Sequence, residues 1–166
     1  TVDSLFQNSK TFTLSGSASL TLNGYSNLGN KSGSVFTLNT GTIDINSETD
    51  YHYITQNATS VFNANSGTIR LAGHAYFNGV FNEGTSHFYF DGTGTQAFLG
   101  SGSVTFHDLT IDCSGDRVQA SNSIGVNGTL TMNNGDLKML TGTTLTIDDT
   151  DDPGISGGSA SSHIIT

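Results

Sequence analysis

The chain has 166 residues, enough for one domain with a substantial core and too few to require two. Only 11% of residues are charged, Gly occurs 21 times, and the formal net charge is -9. The five cations, Lys10, Lys31, Arg70, Arg117 and Lys138, are scattered singly, which excludes electrostatic capture of nucleic acid, and no apolar run is long enough to insert in a membrane.

Residues 1–9 are expected to cap the first coil of the fold, with Phe6 lying across its open end. Short segments with strand alternation follow at Thr11–Leu14, Ala18–Leu22, Val35–Leu38, Thr42–Ile45, Tyr51–Ile54, Val61–Asn63, Thr68–Leu71 and Ala75–Phe77. The second half continues with His87–Phe90, Val104–Phe106, Leu109–Ile111, Ile124–Val126, Thr129–Met132, Leu137–Leu140 and Thr144–Ile147. Gly, Asn, Ser and Asp bound most of them, and no stretch carries a helical period. Four segments share one phrase of turn residue, Thr, apolar, polar, apolar: Gly41-Thr42-Ile43-Asp44-Ile45, Gly67-Thr68-Ile69-Arg70-Leu71, Gly128-Thr129-Leu130-Thr131-Met132 and Thr143-Thr144-Leu145-Thr146-Ile147.

Two all-β architectures compete, and internal copies separate them. Val35-Phe36 recurs as Val61-Phe62 and Val80-Phe81, while Ile43 recurs as Ile69 and Phe88, with spacings of 26 and then 19 residues in both series. Two marks shifting together imply stacked coils whose turns absorb length differences; an antiparallel β-sandwich, the alternative, has no reason to keep them in step. The expected fold is therefore all-β, a right-handed parallel β-solenoid (β-helix) of about seven coils and roughly 35 Å length, forming a single domain over residues 1–166. Leu130, Leu137 and Leu145 lie seven or eight residues apart and read as successive faces of one coil. The terminal Ile164-Ile165 resembles a further strand, so the chain is expected to be a fragment of a longer multidomain protein.

Individual residues offer several chemistries, each with a structural counterpart. The acidic turn over 148–154 contains Asp148, Asp149, Asp151 and Asp152, candidate Ca²⁺ ligands that lack both the EF-hand and the calcium-roll order; a solvated acidic turn is the preferred reading. Asp108, Asp112 and Asp116 are the nearest approach to a glycosidase carboxylate set, with Arg117 beside them and no Trp platform in the chain. Of the five histidines, His52, His74, His87, His107 and His163, the pair His87 and His107 stands about one coil apart; outward positions beside inward Phe88 and Phe106 are preferred over a metal site. Cys113, the single cysteine, reads as a small buried hydrophobe on the strand face of Ile111. Thr-x-Thr pairs at Thr11, Thr93, Thr129 and Thr144 are too irregular for an ice-binding array, and the sequons at Asn30, Asn57 and Asn127 are expected by chance.

The stretch Phe90-Asp91-Gly92-Thr93-Gly94-Thr95-Gln96 with Gly100-Ser101-Gly102-Ser103-Val104-Thr105-Phe106-His107-Asp108-Leu109-Thr110-Ile111-Asp112 resembles repetitive β-helical surface and secreted adhesin-like proteins of Bacteroidetes-type bacteria. Val126-Asn127-Gly128-Thr129-Leu130-Thr131-Met132 and the run from Ile155 to Thr166 are similar to the same family. The resemblance implies an extracellular or cell-surface location and a role as stalk, adhesive surface or fibre subunit, without enzymatic activity, resident cofactor or any transferable functional residue. Carbohydrate or other surface ligands and self-association through the coil ends are the implied partners; a carbohydrate-active β-helix and an end-to-end filament are the alternatives.

Overall fold

The structure is a computed structural model that describes residues 11–24, 32–46, 53–148 and 154–166. The expected cap at 1–9, His52, and the candidate calcium ligands Asp149, Asp151 and Asp152 lie outside the described residues. Within them the chain is all-β, and every pairing between strands is parallel. The strands wind as a β-solenoid with three faces.

The first face stacks β2 (Ser19–Leu22), β4 (Thr42–Ile45), β7 (Thr68–Leu71), β10 (His87–Phe90), the leading half of β13 (Asp108–Ala120), the leading half of β15 (Leu130–Met139) and β17 (Ile155–Gly157). The second stacks β5 (Tyr53–Gln56), β8 (His74–Phe77), β11 (Gln96–Gly100), the trailing halves of β13 and β15, and β18 (Ile164–Ile165). The third comprises β1 (Thr11–Leu14), β3 (Val35–Leu38), β6 (Val61–Asn63) and β9 (Val80–Asn82), followed by β12 (Val104–Phe106), β14 (Ile124–Val126) and β16 (Leu145–Ile147). Seven passes over that face enclose about six turns, one fewer than the seven coils expected from the chain length and the coil period.

Register follows the columns read from the sequence. Phe36 pairs with Phe62, and Phe62 with Phe81, on the third face; Ile43, Ile69 and Phe88 align on the first. The reason is alternation: in β4, β7 and β10 the second and fourth residues are buried while the first and third are not, so any one-residue slip would turn the apolar set outward. Leu130, Leu137 and Leu145 do fall on the first, second and third faces. The repeated phrase, however, opens first-face strands in three of its four copies and a third-face strand, β16, in the last. It encodes a corner followed by a half-buried strand, whichever face that strand joins.

Inside, the columns are aromatic at mid-length. Phe77 lies with its ring centroid 4.9 Å from Phe81, 5.8 Å from Phe98, 6.2 Å from Phe88 and 6.4 Å from Phe106, so one ring ties all three faces together. Edge and tilted pairs of this kind add about 0.5–1.5 kcal/mol each beyond their buried area. They also bridge the one dislocation in the third face, where β9 and β12 belong to separate sheets. The middle residue of β9, Phe81, turns inward, whereas β12 buries the flanking Val104 and Phe106; Phe81 and Phe106 remain in contact at 5.7 Å. Turns between faces are tight: Gly84 has φ +59° and a Cβ there would lie 2.2 Å from the Asn65 carbonyl oxygen, so only glycine lets the two turns stack.

Strands the alternation rule leaves unmarked have identifiable causes. β11 carries a buried Gln96 at an inward position, which hides the apolar period. In β13 the stretch Ser114-Gly115-Asp116-Arg117 carries no apolar alternation, yet the backbone continues through the corner between first and second faces, with register shifts around Asp112 relative to β15. Extended strands thus wrap an edge of the solenoid and place polar residues there.

Candidate functional site

The corner crossed by β13 and β15 forms a groove of about 320 Å³ lined by Gly115, Asp116, Arg117, Asn134, Gly135, Asp136 and Ser161. Parallel stacking explains why these residues meet: Arg117 pairs with Asp136, and Asp112 with Asn134, one turn further along. Gly135 shapes the floor, for it has φ +74° and a Cβ there would sit 2.4 Å from the Asp116 carbonyl oxygen and 2.6 Å from that of Cys113.

Turn-to-turn hydrogen bonds hold the polar side chains. The Thr95 hydroxyl donates to Asp116 Oδ2 from the preceding turn, and Arg117 Nε donates to Asp116 Oδ1 at 2.9 Å. Those two bonds, Thr95 first, hold the partly exposed Asp116 carboxyl below its ordinary range. Asn134 Nδ2 donates to Asp112 Oδ1 at 2.7 Å. Asp136 Oδ1 accepts from the His163 backbone N–H at 3.1 Å and lies 3.0 Å from His163 Nδ1.

Of the three carboxylates considered from the sequence, only Asp116 meets a carboxylate of a neighbouring turn, Asp136, in a groove. Asp108 instead accepts from the Thr129 backbone N–H at 2.9 Å, and Asp112 is engaged by Asn134. Asp136, Asn134, Thr95 and Ser161 escape sequence reasoning, although one signal was available: Gly115-Asp116 recurs as Gly135-Asp136, 20 residues and about one turn later.

A second polar cluster lies on the outer side of the first face. Arg70 forms an ion pair with Asp91 at 2.8 Å and places its guanidinium carbon 4.6 Å from the Tyr89 ring centre. His87 stacks on Tyr89 at 4.0 Å, bonds the Tyr89 hydroxyl through Nδ1 at 3.1 Å, and bonds Thr110 through Nε2 at 2.7 Å. Burial lowers the His87 pKa, Asp108 opposes that, and Arg70 and His107 reinforce it. Burial likewise raises the Asp91 carboxyl against the opposing pull of Arg70. The rings and charges here are occupied with one another. His107 is half-buried beside inward Phe106, and His74 Nδ1 accepts from the Ala97 backbone N–H at 3.0 Å.

Asp148, the one candidate calcium ligand among the described residues, lines a third-face trough of about 240 Å³ with Ser103, Thr105, Ser123, Asn127, Thr144 and Thr146. Among the described residues, no three His, Cys, Asp or Glu side chains gather as a metal-ligand set. The Thr-x-Thr pairs separate onto different faces: Thr129 and Thr131 flank inward Leu130 on the first, Thr144 and Thr146 flank Leu145 on the third.

Cys113 is fully buried with its Sγ 2.6 Å from Gln96 Oε1, inside the same corner. Desolvation first, then Asp91 and Asp112, push the thiol up from 9.0 to about 12. Native protein at pH 8 is therefore expected to resist a thiol-reactive probe that labels it stoichiometrically in denaturant; rapid native labelling would contradict this burial. An unfolded thiol ionises above pH 9.0 while the folded one stays protonated, so this group's contribution to stability falls as pH rises from 9.0 toward about 12.

No family model matches this chain, and neither the curated proteins nor the solved structures compared with it contain a match. The class its geometry defines is the parallel β-solenoid, with a polar corner groove.

Proposed function

We propose that this β-solenoid is a non-enzymatic structural and adhesive segment of an extracellular bacterial surface protein, a stiff spacer whose outer faces engage carbohydrate-bearing surfaces. The observation that supports the reading most is the division between inside and outside. Inward columns of Ile, Leu, Val and Phe run from turn to turn, as in Ile43, Ile69, Phe88 and Leu109, all fully buried. Outward positions near the start of first-face strands carry Thr42, Thr68, Thr129 and Thr131, and the charged outward residues of the same face include Asp44, Arg70, Asp108 and Asp112, of which Arg70 is paired with Asp91. Parallel ladders between short strands favour stiffness, because each turn is bonded to both neighbours. Neutral hydroxyl and amide groups favour weak, repeated hydrogen bonding, in which avidity over many contacts exceeds the strength of one.

The resemblance of residues 90–112 and 126–132 to bacterial surface repeats supports the location. An antibody raised against the purified chain is expected to label intact cells of the source organism, and the chain is expected to be retained on polysaccharide-coated surfaces. Labelling that requires cell lysis would refute the surface location. A folded chain that passes over every such surface without retention would refute the adhesive role.

A further inference from the structure

We infer that the corner groove between β13 and β15 is a saccharide-binding subsite for a neutral sugar ring, held through its hydroxyl groups by Arg117, Asn134 and Asp136. This inference rests on the adhesive reading above and assigns it a place. The groove's volume of about 320 Å³ falls at the lower end of small-ligand sites, which run from about 300 to 1,000 Å³.

Its chemistry is that of a polyol site. Among the described residues Asp136 is engaged through Oδ1, which holds the His163 segment, and Oδ2 is left to accept from a sugar hydroxyl. Arg117 uses Nε on Asp116, and its terminal nitrogens remain as donors on a side chain that is 39% exposed. Asn134 adds a carboxamide whose orientation is set by Asp112. Acceptors and donors thus alternate along one edge, and vicinal sugar hydroxyls present both roles in turn.

The side chains are also placed in advance. Thr95, Asp112 and His163 each bond a lining residue from an adjoining part of the corner, so ordering the site on binding costs less conformational entropy.

Charge selects the class of sugar. Two carboxylates face one guanidinium in the groove, and the chain carries a net charge of -9, so uronates and sulfated sugars are repelled while neutral rings donate hydroxyls to the carboxylates. The other polar clusters fit less well. The first-face aromatic cluster has its ring and guanidinium faces occupied internally, and the third-face trough contains one carboxylate and no cation.

The test is binding of the whole purified chain to immobilised short glucan, mannan, xylan and galactan oligosaccharides, with polygalacturonate and heparin as anionic probes. Asp136→Asn and Arg117→Gln are compared with Lys138→Gln, a change outside the groove, after unfolding curves show that all remain folded. The expected result is binding to at least one neutral oligosaccharide, weakened about tenfold or more by either groove variant and unchanged by Lys138→Gln, the loss anticipated for one charge-assisted hydrogen bond. Neutral-sugar binding untouched by both groove variants overturns the subsite and leaves the adhesive reading standing. Preference for polygalacturonate or heparin overturns the neutral-sugar assignment. Absence of binding to every oligosaccharide overturns the subsite as well; retention of the same protein on intact polysaccharide surfaces then decides separately whether the adhesive reading survives.

Discussion

Replacing Gln96 by Leu is expected to lower the free energy of unfolding by about 3–5 kcal/mol, although the two side chains are similar in size and Leu is the more apolar. Gln96 is 1% exposed and sits where the chain turns from the first face to the second. Its Nε2 donates to the carbonyls of Leu71 and Gly73, one turn earlier, and its Oε1 accepts from the Gly92 backbone N–H at 3.0 Å and faces the Cys113 thiol. Leucine would remove the Gln96 bonds from the Gly73 carbonyl and the Gly92 N–H in a dry corner, and would leave the Leu71 carbonyl only the Asp91 N–H and the Cys113 thiol only the Phe90 carbonyl. Each orphaned backbone group costs about 1–3 kcal/mol, and the added apolar area returns only part of that. Urea denaturation of both proteins checks the value. A loss below about 1 kcal/mol would show that water reaches these groups and that the corner is not closed.

The second large effect is expected from Phe77→Ala, about 3–5 kcal/mol by the same measurement. Phe77 is 1% exposed and its ring touches those of Phe81, Phe88, Phe98 and Phe106, one or more from each face. Truncation removes the transfer free energy of the ring and leaves a cavity that backbones fixed by parallel ladders on both sides cannot collapse into. Phe12→Ala is the matched comparison. Among the described residues Phe12 stacks on one ring, Phe36, at 5.1 Å, and it is only partly buried, so its loss is expected to be less than half as large. Equal losses for the two variants would mean that stability is not concentrated in the aromatic block at mid-length.

Legibility from sequence differed between the fold and the site for a reason visible in particular residues. Val35-Phe36 and its copies Val61-Phe62 and Val80-Phe81 predicted register, because inward aromatic residues stack directly from turn to turn. The candidate carboxylates Asp108, Asp112 and Asp116 looked equivalent in the sequence, being four residues apart, but they part company at the corner. Asp108 serves the Thr129 backbone, Asp112 orients Asn134, and Asp116 alone enters the groove with Asp136. The shifts of register around Asp112 cause that divergence, and a rule of strict alternation contains no term for them.

By itself the sequence determined the β-solenoid, the identity of its core columns and the burial of Cys113, since alternation and recurrence at one-turn spacing are local properties that hydrophobic burial reads directly. Only the tertiary structure decided that β13 and β15 run through a corner, that Gln96 closes it from within, and that Asp116, Arg117 and Asp136 share a groove on its outer side. Those relations depend on turn length and register shift between neighbouring turns, and it is stacking, one turn laid on the next, that sets both.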